Sequence, residues 1–111
     1  MNRQEKRKLW NKYRRSIKAY IRQAEKYNTS NDELINKHID LLRLLYTIVN
    51  SIHHDEFNDI RNKYGWLSKR DMNYYKSGYY DMDTYDRFCK KVNSLPVKIK
   101  RDALIDELLS D

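Results

Sequence analysis

Residues 55–95 read DEFNDIRNKYGWLSKRDMNYYKSGYYDMDTYDRFCKKVNSL, and their punctuation decides the fold. Phe57, Ile60 and Tyr64 recur at helical steps, and Gly65 follows where a left-handed residue ends a helix. Trp66 and Leu67 read as apolar packing that fixes the turn. Ser68 opens the next segment, with Asp71 placed as its capping partner. In that segment Met72 and Tyr75 fall inward, while Lys69, Arg70, Asn73, Tyr74 and Lys76 fall outward. Gly78 closes it. Asp83 is the expected cap of the next helix, whose inner face is Tyr85, Phe88, Cys89 and Val92. A helix, a tight turn and a polar second helix are how a small protein offers one helix to a DNA groove. They are also how a small helical bundle turns a corner.

N-terminal to this stretch the periodicity lengthens. Leu9, Trp10, Tyr13, Ile17, Tyr20, Ile21, Ala24 and Tyr27 predict one helix over 3–27, with its apolar side chains in an arc of about 120°. Lys8, Lys12, Arg14, Arg15, Lys18, Arg22 and Lys26 fall outside that arc and form a cationic face. Ser30 and Glu33 fit a capping box for a second helix to about Ile52. Its inner face carries Leu34, Ile35, His38, Leu41, Leu42, Leu45, Ile48, Val49 and Ile52. Joined by a short break, these two helices should pack antiparallel as a hairpin over 1–53. The helix-turn-helix-like segment then occupies 54–95. A last helix over 96–111 follows Leu95-Pro96, with Val97, Leu104, Ile105, Leu108 and Leu109 inward.

Composition agrees with a single all-α domain, a compact bundle of five to six helices. The 111 residues include Gly 2 and Pro 1, far too few turn formers for an all-β chain. A 13% aromatic share, with Tyr 10, separates the chain from disordered polar sequences despite 35% charged residues. The most apolar run, 39–52, is interrupted by Asp40, Arg43 and Asn50, so no membrane span is expected. The one cysteine, Cys89, has no internal partner, which points to a reducing cytoplasm.

Charge is distributed in blocks. Residues 1–27 carry a net +8, 28–60 a net −4, 61–101 a net +7 and 102–111 a net −4. Like charges crowded on one helix face repel unless a polyanion neutralises them. The plain alternative is a solvated surface.

No catalytic or cofactor constellation is expected, and the chain reads as a binding protein without enzymatic activity. His53 and His54 are adjacent, so on a helix they should diverge by about 100° and not share a metal. His38, on the apolar face of the second helix, reads as a hydrogen-bonded core residue. Asp81, Asp83 and Asp86 are spaced like calcium-loop carboxylates, but the loop glycine and distal glutamate are missing, so they read as caps. There is no glycine loop for phosphate.

The run from Tyr64 to Gly78 resembles the helix-turn-helix of Cro/CI-type phage repressors: a glycine in the turn, a serine opening the second helix, and an aromatic-x-x-Gly close, here Tyr75 to Gly78. The following Asp83 to Leu95 is similar to that family's next helix, which ends in Asn-x-Leu, here Asn93 to Leu95. The resemblance covers residues 55–95. Two features depart from the family pattern: Ile60 and Arg61 stand where a small residue is expected, and the turn holds both Trp66 and Leu67. The resemblance implies a small DNA-binding or regulatory protein of phage or mobile-element type. Lys69, Arg70, Asn73, Tyr74 and Lys76 would then read bases, because Lys and Arg pair with guanine edges and Asn with adenine. Lys12, Arg14, Arg15, Lys18 and Arg22 would hold phosphates. Such readers are commonly dimers, and the last helix and the Leu-rich second helix are the candidate contacts of a homodimer. The competing expectation is a phage-encoded inhibitor that occupies the nucleic-acid channel of a host or defence protein, for example a CRISPR effector.

Overall fold

A computed structural model describes residues 1–101. Five helices fill most of that span: α1 (Arg3–Tyr27), α2 (Glu33–Ser51), α3 (His54–Tyr64), α4 (Lys69–Ser77) and α5 (Met82–Asn93). A sixth, α6, opens at residue 97 and is described to 101. No strand occurs among the described residues, so the architecture is an all-α bundle. The expected inward positions Leu104, Ile105, Leu108 and Leu109 lie outside the described residues.

The helices start and stop where local chemistry satisfies their free backbone groups. Asn2 caps α1, its side chain accepting from the Glu5 N–H at 2.8 Å. Asp32, not Ser30, caps α2, accepting from the Leu34 N–H at 2.8 Å and the Ile35 N–H at 3.3 Å. Asn31 takes a left-handed φ of 57° just before it, which consumes the residues that a Ser30 cap would need. Gly65 ends α3 in the left-handed region (φ 61°), and Gly78 ends α4 the same way (φ 74°). At α4 the capping box is complete: the Ser68 hydroxyl accepts from the Asp71 N–H, and the Asp71 carboxylate accepts from the Ser68 N–H. Asp81, not Asp83, caps α5. Its carboxylate accepts from the Thr84 N–H at 2.6 Å and from the Thr84 hydroxyl at 3.0 Å. These bonds hold the Asp81 carboxyl below its ordinary range.

α1 and α2 form the expected antiparallel hairpin. The Trp10 indole N–H donates to the Val49 carbonyl at 2.9 Å, Arg14 reaches Asn50, and Arg43 pairs with Glu25 at 2.8 Å, so rising numbers on one helix meet falling numbers on the other. Ile17 and Ala24 are fully buried on α1, and Leu42, Leu45, Ile48 and Val49 are buried on α2. Each large aliphatic side chain removed from water there contributes about 1.5–3 kcal/mol. The leucines at 41, 42 and 45 are spent inside the chain, so they are not free for a dimer contact.

α3 folds back against α1, with Phe57 fully buried and edge-on to Tyr13 at 5.2 Å. The α3–α4 turn drives Trp66 and Leu67 into the core, each 2% exposed. Leu67 does so at a φ of 52°, a conformation unfavourable for a side-chain-bearing residue and held here by burial and by the Arg61 guanidinium donating to its carbonyl at 3.3 Å. Lys91 of α5 pairs with the buried Asp71 at 3.2 Å, tying α5 to the start of α4. Leu95 is buried, whereas Val97, expected inward, is 64% exposed and Ile99 packs on the core instead.

His38 is the polar centre of the bundle. It is fully buried. Its Nε2 lies 2.9 Å from the Asp81 carbonyl and its Nδ1 lies 3.1 Å from the Tyr75 hydroxyl. A carbonyl only accepts, so Nε2 carries the proton and Nδ1 accepts from Tyr75. The rings of Tyr74, Tyr75, Tyr80 and Tyr85 surround the imidazole at 5.3–6.1 Å. The expectation of a hydrogen-bonded core histidine holds.

Candidate nucleic-acid interface

α1 and α4 are far apart in sequence and stand side by side in the fold. Gly78 fixes one end of their alignment: a Cβ there would lie 3.2 Å from the Gln23 side chain and 3.9 Å from the Tyr27 ring. Arg61 fixes the other, stacking on Tyr13 at 5.0 Å while bonding the carbonyl of Leu67 just before α4. The two helices therefore run in the same direction, with α4 alongside residues 13–27.

Between them lies a trough of about 500 Å³, lined by Leu9, Lys12, Tyr13, Ser16 and Tyr20 of α1, by Arg61, and by Lys69, Met72, Asn73 and Lys76 of α4. Four cationic side chains line it and, among the described residues, no carboxylate does. The nearest buried acid on α4, Asp71, is turned to the other side of that helix and neutralised by Lys91. Arg61, half-buried, lines the trough from α3. One of its terminal nitrogens donates to Asn58 at 2.9 Å, and its Nε is buried with no partner among the described residues. Burial raises the Tyr13 hydroxyl above its ordinary value, with the Arg61 charge pulling it back down.

The expected site residues divide on this geometry. Lys12, Lys69, Asn73 and Lys76 come together in the trough. Asn73 and the lysines therefore face a concavity shared with α1. Arg70 is exposed on the neighbouring side of α4, and Arg15, Lys18 and Arg22 are exposed on α1 along the outer flank of the helix. Arg15 bonds its own helix, its Nε donating to the Asn11 carbonyl at 3.4 Å.

Two expected residues belong elsewhere. Arg14 lies on the α2 side of α1, stacked on Trp10 at 4.3 Å and bonded to Asn50 and Asn11. One residue of helical rotation is enough to carry it from the cationic face to the seam. Tyr74 is half-buried, not a free outward side chain. Its hydroxyl accepts from the Asp81 N–H at 2.8 Å, and its ring meets Phe88 edge-on at 5.6 Å.

Arg61, Tyr13, Ser16 and Tyr20 were not singled out for function from sequence. The signal for Arg61 was present, as the large residue in the place of a small one, but its use depends on a contact with another helix.

A second polar cluster sits at the start of α3. His53 caps the helix from an extended conformation (ψ 137°), its Nδ1 accepting from the Asp55 N–H at 3.2 Å, and His54 begins the helix. Their rings are consequently 4.2 Å apart, not divergent as two helical neighbours would be. The potential ligand atoms of His53, His54 and Asp55 lie within 4.8 Å of one another. Two cations already occupy this cluster: Arg3 pairs with Asp55 at 3.1 Å, and Arg7 lies 3.3 Å from His54 Nε2. Desolvation works upward on the Asp55 carboxyl, but Arg3 and the two imidazoles outweigh it and hold it low. The cluster is best described as a latch between the first turns of α1 and α3.

No family model matches the chain, and comparisons with curated proteins and with solved structures find no match. Among the described residues, no helix is long and apolar enough to cross a membrane.

Proposed function

We propose that the chain is a small basic nucleic-acid-binding protein whose α1–α4 trough holds the phosphate backbone. The observation that carries this reading is the convergence of Lys12, Arg61, Lys69 and Lys76 on one concavity without a carboxylate. Like charges brought together by folding raise the energy of the free protein, and a polyanion relieves that cost by releasing its counterions. Asn73 and Ser16 add neutral donors for phosphate or base edges. Arg15, Lys18 and Arg22 extend the positive field along the flank of α1. The resemblance of residues 55–95 to phage repressors supports DNA as the polyanion and a regulatory role.

The test is affinity as a function of salt. Binding of a labelled oligonucleotide should weaken steeply as ionic strength rises, and the triple variant Lys12→Ala, Lys69→Ala, Lys76→Ala should flatten the log–log slope by about 2–3. A control that removes Arg87 and Lys90, both exposed on α5, should leave the slope close to that of the parent. Equal losses from both variants would show that net charge, not the trough, attracts the ligand. Absence of any binding at low ionic strength would refute the reading.

A further inference from the structure

The lining of the trough runs as far as Tyr20 on α1 and Lys76 on α4. Following α1 toward its C-terminus, the next side chains on the same face are Gln23 and Tyr27, opposite Gly78. Tyr27 is 62% exposed, and Tyr79, directly after Gly78, is 66% exposed. The chain's other tyrosines are committed to the interior to varying degrees. Tyr75 is 1% exposed, Tyr13 is 6% exposed, and Tyr74, Tyr80 and Tyr85 ring His38. The two open aromatic residues therefore flank one contact, the Tyr27 ring lying against Gly78 and Tyr79 following it in the chain, beyond Lys76. Leaving an aromatic ring in water forgoes the burial that a tyrosine usually contributes, and nothing among the described residues covers either one.

From this placement we infer that the trough takes a single-stranded nucleic acid, with its backbone on Lys12, Lys69 and Lys76 and bases stacked on Tyr27 and Tyr79. The inference rests on the nucleic-acid reading of the trough and names its substrate class. Three observations favour a single strand over a duplex. First, the cations face a concavity of about 500 Å³, the scale of one strand's sugar-phosphate. Second, a positively charged groove ending in exposed aromatic rings is the arrangement that single-strand binders share, because every base has a face to stack while a duplex hides it. Third, Lys69, Asn73 and Lys76 are exposed but line a concavity shared with α1, so they do not sit on the crest of a helix standing free to enter a groove. From Lys12 to Tyr27 the track is about 22 Å long at the rise of an α-helix, enough for several nucleotides.

The glycine at 78 acts in the same arrangement. Its left-handed φ of 74° turns the chain sharply, and the absence of a side chain lets the α4–α5 turn approach Gln23 and Tyr27. That close approach sets Tyr79 beside the end of α1.

The experiment compares a labelled oligothymidylate of about 12 nucleotides, within the site sizes of small single-strand modules, with a duplex of the same length at matched low salt. The full chain should bind the single strand at least tenfold more tightly, with quenching of tyrosine fluorescence. The double variant Tyr27→Ala, Tyr79→Ala should lose about 10- to 100-fold for the single strand. Tyr27→Phe with Tyr79→Phe should retain most of the affinity, because stacking needs the ring and not the hydroxyl. Both positions are exposed, so the variants should fold, and an unchanged melting temperature verifies it. Duplex binding as tight as single-strand binding, or alanine variants without effect, would overturn the single-strand assignment while leaving the polyanion reading in place. Poly-glutamate competing as well as oligothymidylate would also overturn it, since charge alone would then explain the affinity. Failure to bind either nucleic acid would overturn both.

Discussion

α4 has two sides, and they are built on opposite terms. On the side facing α2 and α5, Tyr75 donates to His38, Tyr74 accepts from the Asp81 backbone, and Asp71 meets Lys91. Most polar groups there have a partner inside the chain. On the side facing α1, Lys69, Asn73 and Lys76 meet Lys12 and Arg61 across open space, with like charges opposite like. The first side is what a fold needs, because a buried polar group without a partner costs about 1–3 kcal/mol. The second contributes nothing to the fold that an apolar or oppositely charged wall would not do better. One nine-residue helix thus carries a side whose polar groups are mostly paired within the chain and a side that presents cations to open space.

The widest separation of the two sides should come from His38→Ala. Removing the ring leaves a cavity among the surrounding tyrosines, strands the Tyr75 hydroxyl and frees the Asp81 carbonyl, for a loss of about 3–5 kcal/mol in chemical denaturation. A loss under about 1 kcal/mol would mean that the polar centre is not structural. The trough triple variant at Lys12, Lys69 and Lys76 should do the reverse, with affinity for oligonucleotide falling about 30-fold or more at low salt and stability within about 0.5 kcal/mol of the parent. Destabilisation by that variant would erase the contrast.

The pH dependence sharpens it. Burial holds His38 below its ordinary value, with the Asp81 carbonyl working in the opposite direction. Its folded pKa is therefore lower than its unfolded one, near 6.5. The unfolded chain takes up the proton first as pH falls, so the stabilisation is complete above that value and is lost as pH drops through the window down to the folded pKa. The slope should reach at most about 1.4 kcal/mol per pH unit. Asp81 and Asp55, both held low, contribute a further loss only below about pH 4. Denaturation midpoints that stay flat from neutrality to pH 5 would exclude this role for His38. The smallest effect is expected from Tyr74→Phe, which removes one hydroxyl and its bond to the Asp81 N–H. It should cost about 1 kcal/mol and leave oligonucleotide affinity unchanged, whereas an affinity loss would return Tyr74 to the binding surface.

Much of the fold was legible in residue order. The ends of α3 and α4 follow from Gly65, Ser68 with Asp71, and Gly78, because caps and left-handed turns are chemistry between near neighbours. The reading failed where two local solutions compete. Ser30 or Asp32, and Asp81 or Asp83, are equally good caps by type, and the structure uses Asp32 and Asp81, each with the extended backbone that a cap requires. His53 and His54 were misread for the same reason: one sits just before the helix, so the spacing of helical neighbours does not apply to it.

The site was legible only as ingredients. Lys12 on α1 and Lys69, Asn73 and Lys76 on α4 each stand out by charge and face, but nothing in their spacing says that they meet. Arg14 and Tyr74 look as exposed as their neighbours until Trp10, Asn50 and Asp81 claim them. By itself, the sequence determined which segments are helical, which face of each is apolar and where the positive charge is concentrated. Those properties depend on side chains within a few residues of one another. Only the tertiary structure decided that α4 lies along α1, that their cations share one trough, and that Tyr27 and Tyr79 stand open beyond it. That arrangement depends on Trp66, Leu67 and Tyr75 being drawn into a common core and on Gly78 letting two helices approach, and such contacts between distant residues leave no periodic trace in the chain.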